Sequence, residues 1–184
     1  ETHGQQRGSP MSRTIKLNDG KTLLVRPIRP DDAARLQVFH RSHSARTRYQ
    51  RFFGHYPELS DHQAERFATV DGHDRLALVA IDHTDSETFA GVVRLDRDPG
   101  TSAAEYAAIV TDAWQGRGVG HGLTMELLKD AVSQGITTVY ALVLAGNQPM
   151  LALLKGLGLP WRTSMGPDFE RVEIDLDEHW GEAS

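Results

Sequence analysis

The chain has 184 residues, 39% of them hydrophobic and 24% charged, which suits one domain with a proper core and is too short for two comfortable ones. Asp and Glu outnumber Lys and Arg by 25 to 20, and a formal charge of −5 argues against a nucleic-acid or membrane-surface binder. With no cysteine, disulfide scaffolding, cysteine nucleophiles and zinc–thiolate sites are excluded.

Residues 1–12 lack a hydrophobic pattern and are rich in Gly, Gln, Ser and Pro, so they read as a disordered linker or processed remnant. The domain is expected at 13–180, as part of a longer multidomain chain. Thr14–Leu17 and Thr22–Val25 flank Asn18-Asp19-Gly20-Lys21, a hairpin signal. Asp31 and Asp32 cap a helix carrying Ala33, Leu36, Val38 and Phe39. A second helix starts at Ser44 and ends before Gly54, with Tyr49, Phe52 and Phe53 at core spacing and Arg48 and Arg51 on a solvated or salt-bridged face. Ser60 with Gln63 forms a capping box that opens a third helix to about Val70. Leu76–Ile81 and Phe89–Leu95 are apolar strand runs joined by the turn His83–Glu87. Such runs fall far short of the roughly 18 residues needed to span a bilayer, and no signal peptide is visible, so a cytoplasmic setting is expected. Ala103–Val110 is the next strand. A helix from Gly118 to about Gln134, the strand Thr137–Leu144, a helix Pro149–Leu154 and two strands within Arg162–Leu176 complete the order. The class is a mixed α/β sheet with helices on both faces.

Between the alanine-rich strand and the long helix lies Trp114-Gln115-Gly116-Arg117-Gly118-Val119-Gly120-His121-Gly122. A strand, a glycine-rich turn and a helix start make an anion-binding device, because unpaired N–H groups point outward and glycines let a ligand approach. No lysine or hydroxyl follows as a Walker loop requires, and the dinucleotide spacing fails at His121 and Leu123. Gln115, Gly118 and Gly120 instead fill Gln/Arg-x-x-Gly-x-Gly/Ala, the acyl-CoA pyrophosphate loop of the GNAT superfamily of N-acyltransferases, which the chain resembles over about Thr14–Leu176. Asn147, Met150–Leu154 and Gly158 sit where that family has an asparagine and the helix after it. Ser44-Ala45-Arg46-Thr47-Arg48-Tyr49-Gln50-Arg51-Phe52-Phe53 resembles the corresponding segment of bacterial Pat-type protein lysine acetyltransferases.

The resemblance implies a GNAT fold: a mostly antiparallel twisted sheet, a bulged strand before the loop, and a splayed strand pair where CoA lies. It implies acetyl-CoA as cosubstrate, held by the backbone of Ile109, Val110 and Thr111, by the loop residues Gln115, Gly116, Arg117, Gly118, Val119, Gly120 and His121, and by Asn147. A backbone amide, that of Val110, would polarise the thioester carbonyl. Transfer to an amine also needs a base, since free lysine has a pKa of about 10.4. Glu105, mid-strand among Ala103, Ala104, Ala107 and Ala108, is the candidate, and partial burial would raise its pKa toward a useful range. The alternative is a structural ion pair with Arg94 or Arg97. Leu154 occupies the position where many relatives place a tyrosine acid, so no general acid is named. The nine histidines show no ligand spacing, and no metal is expected. The expected activity is acetylation of a lysine side chain on a protein, by analogy an acyl-CoA synthetase. A small-amine acceptor and a CoA-binding regulatory domain without turnover are the alternatives.

Overall fold

The computed structural model describes residues 12–177, except for the side chains at 85–87. The segment 1–11 and the residues after 177 lie outside the described residues. The chain opens with the expected hairpin, β1 (Arg13–Lys16) and β2 (Thr22–Pro27), in register from Arg13↔Val25 to Lys16↔Thr22. Gly20 supplies the left-handed turn residue at φ 85°. Three helices follow: α1 (Ala33–Arg41), α2 (Ala45–Phe52) and α3 (Asp61–Ala68). Ser44 Oγ accepts from the Thr47 N–H at 3.2 Å to start α2. At α3 the capping box forms in both directions, Gln63 N–H to Ser60 Oγ at 3.2 Å and Ser60 N–H to Gln63 Oε1 at 2.9 Å.

The end of α2 differs from expectation. It is Phe53, at φ 57°, that turns left-handed, one residue before Gly54. A non-glycine residue there carries about 1–2 kcal/mol of strain. Tyr49 and Phe53 are exposed rather than core, because α2 covers the mouth of a cleft instead of the sheet. Val38 on α1 is exposed as well.

β3 (Arg75–Asp82), β4 (Asp85–Arg97) and β5 (Ala103–Val110) form an antiparallel meander. The β3–β4 turn is tighter than the five residues read from the sequence, with Asp82 already paired to Asp85. After β5 come a 3-10 turn at Asp112–Trp114, then α4 (Val119–Ser133), β6 (Thr138–Leu144), α5 (Gln148–Lys155), β7 (Trp161–Met165) and β8 (Phe169–Asp175). The eight strands run β1-β2-β3-β4-β5-β6-β8-β7, antiparallel except for β5 with β6. One face packs under α4 and α5 around the fully buried Leu123, Leu127 and Leu128. The other packs under α1 and α3 around Leu36, Phe39, Val79 and Phe89. No helix among the described residues is long and apolar enough to cross a membrane.

The feature that positions the site is the one parallel contact. Pairing of β5 with β6 is confined to Ala103↔Thr138, Ala104↔Val139 and Glu105↔Tyr140. Beyond Glu105 each strand keeps its other neighbour: β5 stays on β4 as far as Val110, and β6 stays on β8 through Leu144. The sheet therefore forks at Glu105.

Candidate active site

The fork opens a cleft of about 220 Å³, walled by Glu105, Ala107 and Ala108 on β5, by Ala141 and Val143 on β6, and capped by Arg51 and Phe53 of α2. Small side chains on both strands keep it open. Antiparallel ladders alternate between residues that bond across the pair and residues whose backbone turns outward. Since the Thr111 N–H bonds to Ala90 O at 3.0 Å, alternation commits Ile109 to β4 and turns the backbone groups of Val110 and Ala108 toward β6. There β6 has already diverged. Of the three strand-end residues named from the sequence, Val110 thus offers its amide to the cleft, whereas Ile109 and Thr111 point away. The Ile109 side chain lies against the apolar core on the α1 side, and the buried Thr111 hydroxyl bonds to Ala90 O at 3.2 Å. Ala108 is the residue sequence reasoning missed, and period-two alternation from Val110 was the signal. The expected bulge in β5 is not there: the register with β4 runs unbroken from Gly91↔Val110 to Arg97↔Ala104, and the irregularity lies between β3 and β4 at Ala80–Asp82. Divergence of β6, with no bulge, is what frees these groups.

Past Val110 the glycine loop delivers a row of donors. Gly116 and Gly118 take φ of 72° and 92°, and Gly118 caps α4 without any side-chain bond. Among the described residues no backbone acceptor meets the N–H groups from Gly116 to His121, and the ladder of α4 begins with the Gly122 N–H to Gly118 O at 3.0 Å. Orphan donors at the positive end of a fifteen-residue helix favour an anion. The loop is braced from the opposite end of the sheet. Asn18 N–H bonds to Arg117 O at 3.0 Å, Arg117 pairs with Asp19 at 2.7 Å, and its guanidinium lies 4.1 Å from the centre of the Trp114 ring. The β1–β2 turn, read from the sequence only as a hairpin, is therefore part of the loop's scaffold. Gln115 folds back to donate from Nε2 to Val110 O at 3.0 Å, tying loop to strand, while its own N–H reaches Asp112 O at 3.4 Å. His121 is exposed on the first turn of α4. Asn147 is buried on the far wall, and its Oδ1 accepts from Met150 N–H at 3.3 Å as the cap of α5. Oδ1 is thus taken by the helix start, and Nδ2 is the group left for anything in the cleft.

Glu105 stands at the fork itself. It is exposed, so the partial burial expected of it is absent. Among the described residues it forms no hydrogen bond or ion pair, and the arginines considered as partners are engaged elsewhere: Arg94 with Phe67 O at 2.6 Å, and Arg97 with Asp74 at 3.0 Å. Its charge is felt instead by Arg51 and by the phenol of Tyr140. Tyr140 donates to Asp98 at 2.9 Å beneath the stacked Arg171, and burial first, then Asp98, holds its pKa above the usual phenol value. Leu154 is core, 1% exposed. Tyr106 has its hydroxyl bound to Thr124 Oγ1 at 2.6 Å, and burial drives its pKa up, which removes it as a ready proton donor. Among the described residues no cluster of three His, Asp or Glu side chains could hold a metal ion.

A strand fork, an amide row at a helix start and a carboxylate at the apex make up the candidate site. The chain belongs to the GNAT acetyltransferase family, whose acetyltransferase (GNAT) domain model matches residues 22–160. It is similar to acetyltransferase PA5475 of Pseudomonas aeruginosa, 31% identical over 143 residues that cover 77% of each chain. In three dimensions it superposes on the GNAT domain of S. lividans PAT with a TM-score of 0.83 at 35% identity, covering 90% of this chain and 97% of that one. It is also 26% identical over 161 residues to acetyltransferase Pat of Mycolicibacterium smegmatis, where it spans 48% of that longer protein. The spermidine N-acetyltransferase of Vibrio cholerae, solved with CoA and spermine, shares the fold at a TM-score of 0.67 and 17% identity, over 84% of this chain and 96% of that one. The domain is an acyltransferase.

Proposed function

We propose that this domain transfers the acetyl group of acetyl-CoA to a lysine side chain of a protein substrate, by direct attack and without an acyl-enzyme. The pyrophosphate lies on the N–H row from Gly116 to His121, and pantetheine runs along the backbone that β5 exposes beyond the fork. The Val110 amide meets the thioester oxygen as charge develops on it. The target ammonium loses its proton to Glu105, directly or through water, and the amine then attacks the thioester carbon. CoA leaves as a thiolate, a tolerable leaving group with a pKa of about 8.5, which takes its proton from water or from the attacking amine. The observation that carries this reading is the fork: one cleft holds the free carboxylate at its apex and the unpaired amides along its wall. Likeness to the S. lividans PAT GNAT domain and to acetyltransferase Pat supports a protein lysine as acceptor. By the resemblance to Pat-type enzymes the proposed substrate is an acyl-CoA synthetase, and the proposed setting is cytoplasmic.

Labelled acetyl-CoA incubated with the domain and a cell extract tests the reading. Label in one protein band, removed by proteolysis to acetyl-lysine, is the expected result. Transfer only to free polyamines or amino acids would replace the protein acceptor with a small amine. Tight CoA binding with no transfer to any amine would leave a regulatory domain.

A further inference from the structure

Behind the cleft, on the α1–α3 side of β5, lies a second cavity of about 40 Å³. Arg51, Phe52 and Ala107 line both spaces, so the second cavity adjoins the cleft. Its walls are apolar: Leu36, Phe39, Leu59, Phe67, Val92 and Ile109. Into them are set the guanidiniums of Arg51 and Arg94. Arg94 is 6% exposed, and its one recorded hydrogen bond goes to a carbonyl, Phe67 O. Among the described residues Arg51 forms no hydrogen bond or ion pair, and its remaining contact is the ring of Phe52 at 4.6 Å. Asp96, the nearest acid on β4, is half in solvent and bound to Arg75 at 3.1 Å. His40 in the same wall is engaged with Tyr56 O at 2.6 Å, and burial lowers its pKa toward the neutral form.

Two cations on one apolar cavity, Arg94 buried and Arg51 partly exposed at its mouth, are costly unless an anion joins them. The Arg94 pKa is pushed down to about 10 by burial first and by the charge of Arg51 second. Arg51 is likewise lowered by its burial, against the pull of Asp96 and Glu105. A guanidinium fork matches a carboxylate in shape and charge. At about 10–15 Å³ per water, the cavity has room for about three or four waters, enough for one carboxylate.

We propose that this cavity is a carboxylate subsite of the active centre, with Arg51 and Arg94 as its two arms. The carboxylate is either the far end of a dicarboxylic acyl group on CoA, reaching past Ala107 from the thioester, or a carboxylate that the acceptor carries near its amine. The inference rests on the acyl-CoA reading of the cleft and adds selectivity to it.

Binding and turnover separate these possibilities. Titration with CoA establishes the parent site. The first arm then compares succinyl-CoA with acetyl-CoA on one protein acceptor. The second compares glutamate with its decarboxylated amine as acceptor for acetyl-CoA. In one arm, Arg94→Met is expected to lower kcat/KM for the carboxylate-bearing partner at least tenfold relative to its neutral counterpart, and Arg94→Lys to recover part of the loss. Arg51→Met, at the mouth, repeats the test should Arg94→Met not fold. Ratios that move less than twofold in both arms, with CoA still bound, overturn this subsite alone. Absence of CoA binding in the wild-type protein overturns the acyl-CoA reading and the subsite together.

Discussion

The two ends of β5 each carry an alanine pair and meet opposite fates. From Ala103 to Glu105 the strand is zipped on both sides, to β4 and to β6. From Ala107 to Val110 it is zipped on one side only. Ala104 is fully buried beneath α4, whereas Ala107 and Ala108 line open space. Alanine is a poor strand former in either place. At the closed end it makes room for a neighbouring strand, and at the open end for the cleft. The closed end should therefore answer to substitution in stability and the open end in activity.

The strongest separation is expected at the fork. Glu105→Gln removes the charge from an exposed side chain with no partner among the described residues, so the melting temperature should hold. Turnover should fall by roughly 10²–10⁴, the usual worth of a general base, while acetyl-CoA binding stays within about twofold. Unchanged kcat in that variant would move the base elsewhere. Next comes the loop. A side chain at Gly118 would sit at φ 92° with its Cβ 2.8 Å from Asn18 Oδ1, and an aspartate would set its charge against the incoming diphosphate. Gly118→Asp should weaken CoA binding by at least about 100-fold, and Gly118→Ala by less, in isothermal titration. Equal losses in the two would mean that the loop's shape alone, and not repulsion, sets the affinity.

The closed end provides the counter-test. Val139, opposite Ala104 and 1% exposed, packs in the α4 core. Val139→Ala should cost about 2 kcal/mol and lower the melting temperature by roughly 4–8 °C, with KM for acetyl-CoA within about twofold. A large rise in KM would mean that the zipped end transmits strain to the cleft.

Much of this division was legible in the chain, and what was not has identifiable physical causes. Caps at Ser44 and Ser60, the Asn-Asp-Gly hairpin and the glycine loop are local devices, decided within a few residues, and all were readable. Glu105 stood out because a charged residue among alanines has no propensity reason to be there, but the burial expected of it is absent. Three readings depended on chain partners far away in sequence. Tyr49 and Phe53 have core spacing, yet α2 sits over a cleft rather than on the sheet, and no local pattern reveals which surface a helix faces. The bulge implied by the resemblance was unnecessary once β6 diverged, a matter of pairing between strands more than thirty residues apart. Arg51 was read as part of a solvated or salt-bridged face, whereas it forms no ion pair among the described residues and, partly buried, lines a cavity with Arg94.

The smallest expected effect concerns the wall of the open end. His43 is 3% exposed, wedged edge-on against Phe39 at 4.4 Å, with Nε2 buried and unpartnered among the described residues. Its carbonyl takes the Arg48 guanidinium, and nearby Asp112 takes the Thr47 hydroxyl at 2.9 Å, so α2 is fastened over this ring. Burial lowers its pKa to about 4 from an ordinary 6.5, outweighing the opposite pull of backbone oxygens and Asp112. Between those values the unfolded chain binds the proton and the folded one does not. The contribution is therefore whole above pH 6.5 and drains away as pH falls toward 4, reaching a loss of about 2 kcal/mol at pH 5. Urea melts at pH 7 and pH 5 should register that loss in the wild-type protein and much less of it in His43→Leu, with His40 contributing a residue of the same sign. Val139→Ala should keep the wild-type difference between the two pH values, because Val139 packs in the α4 core, on the opposite face of the sheet from α1 and its histidines. An unaltered pH difference in His43→Leu would place the acid-sensitive group outside the wall of α2.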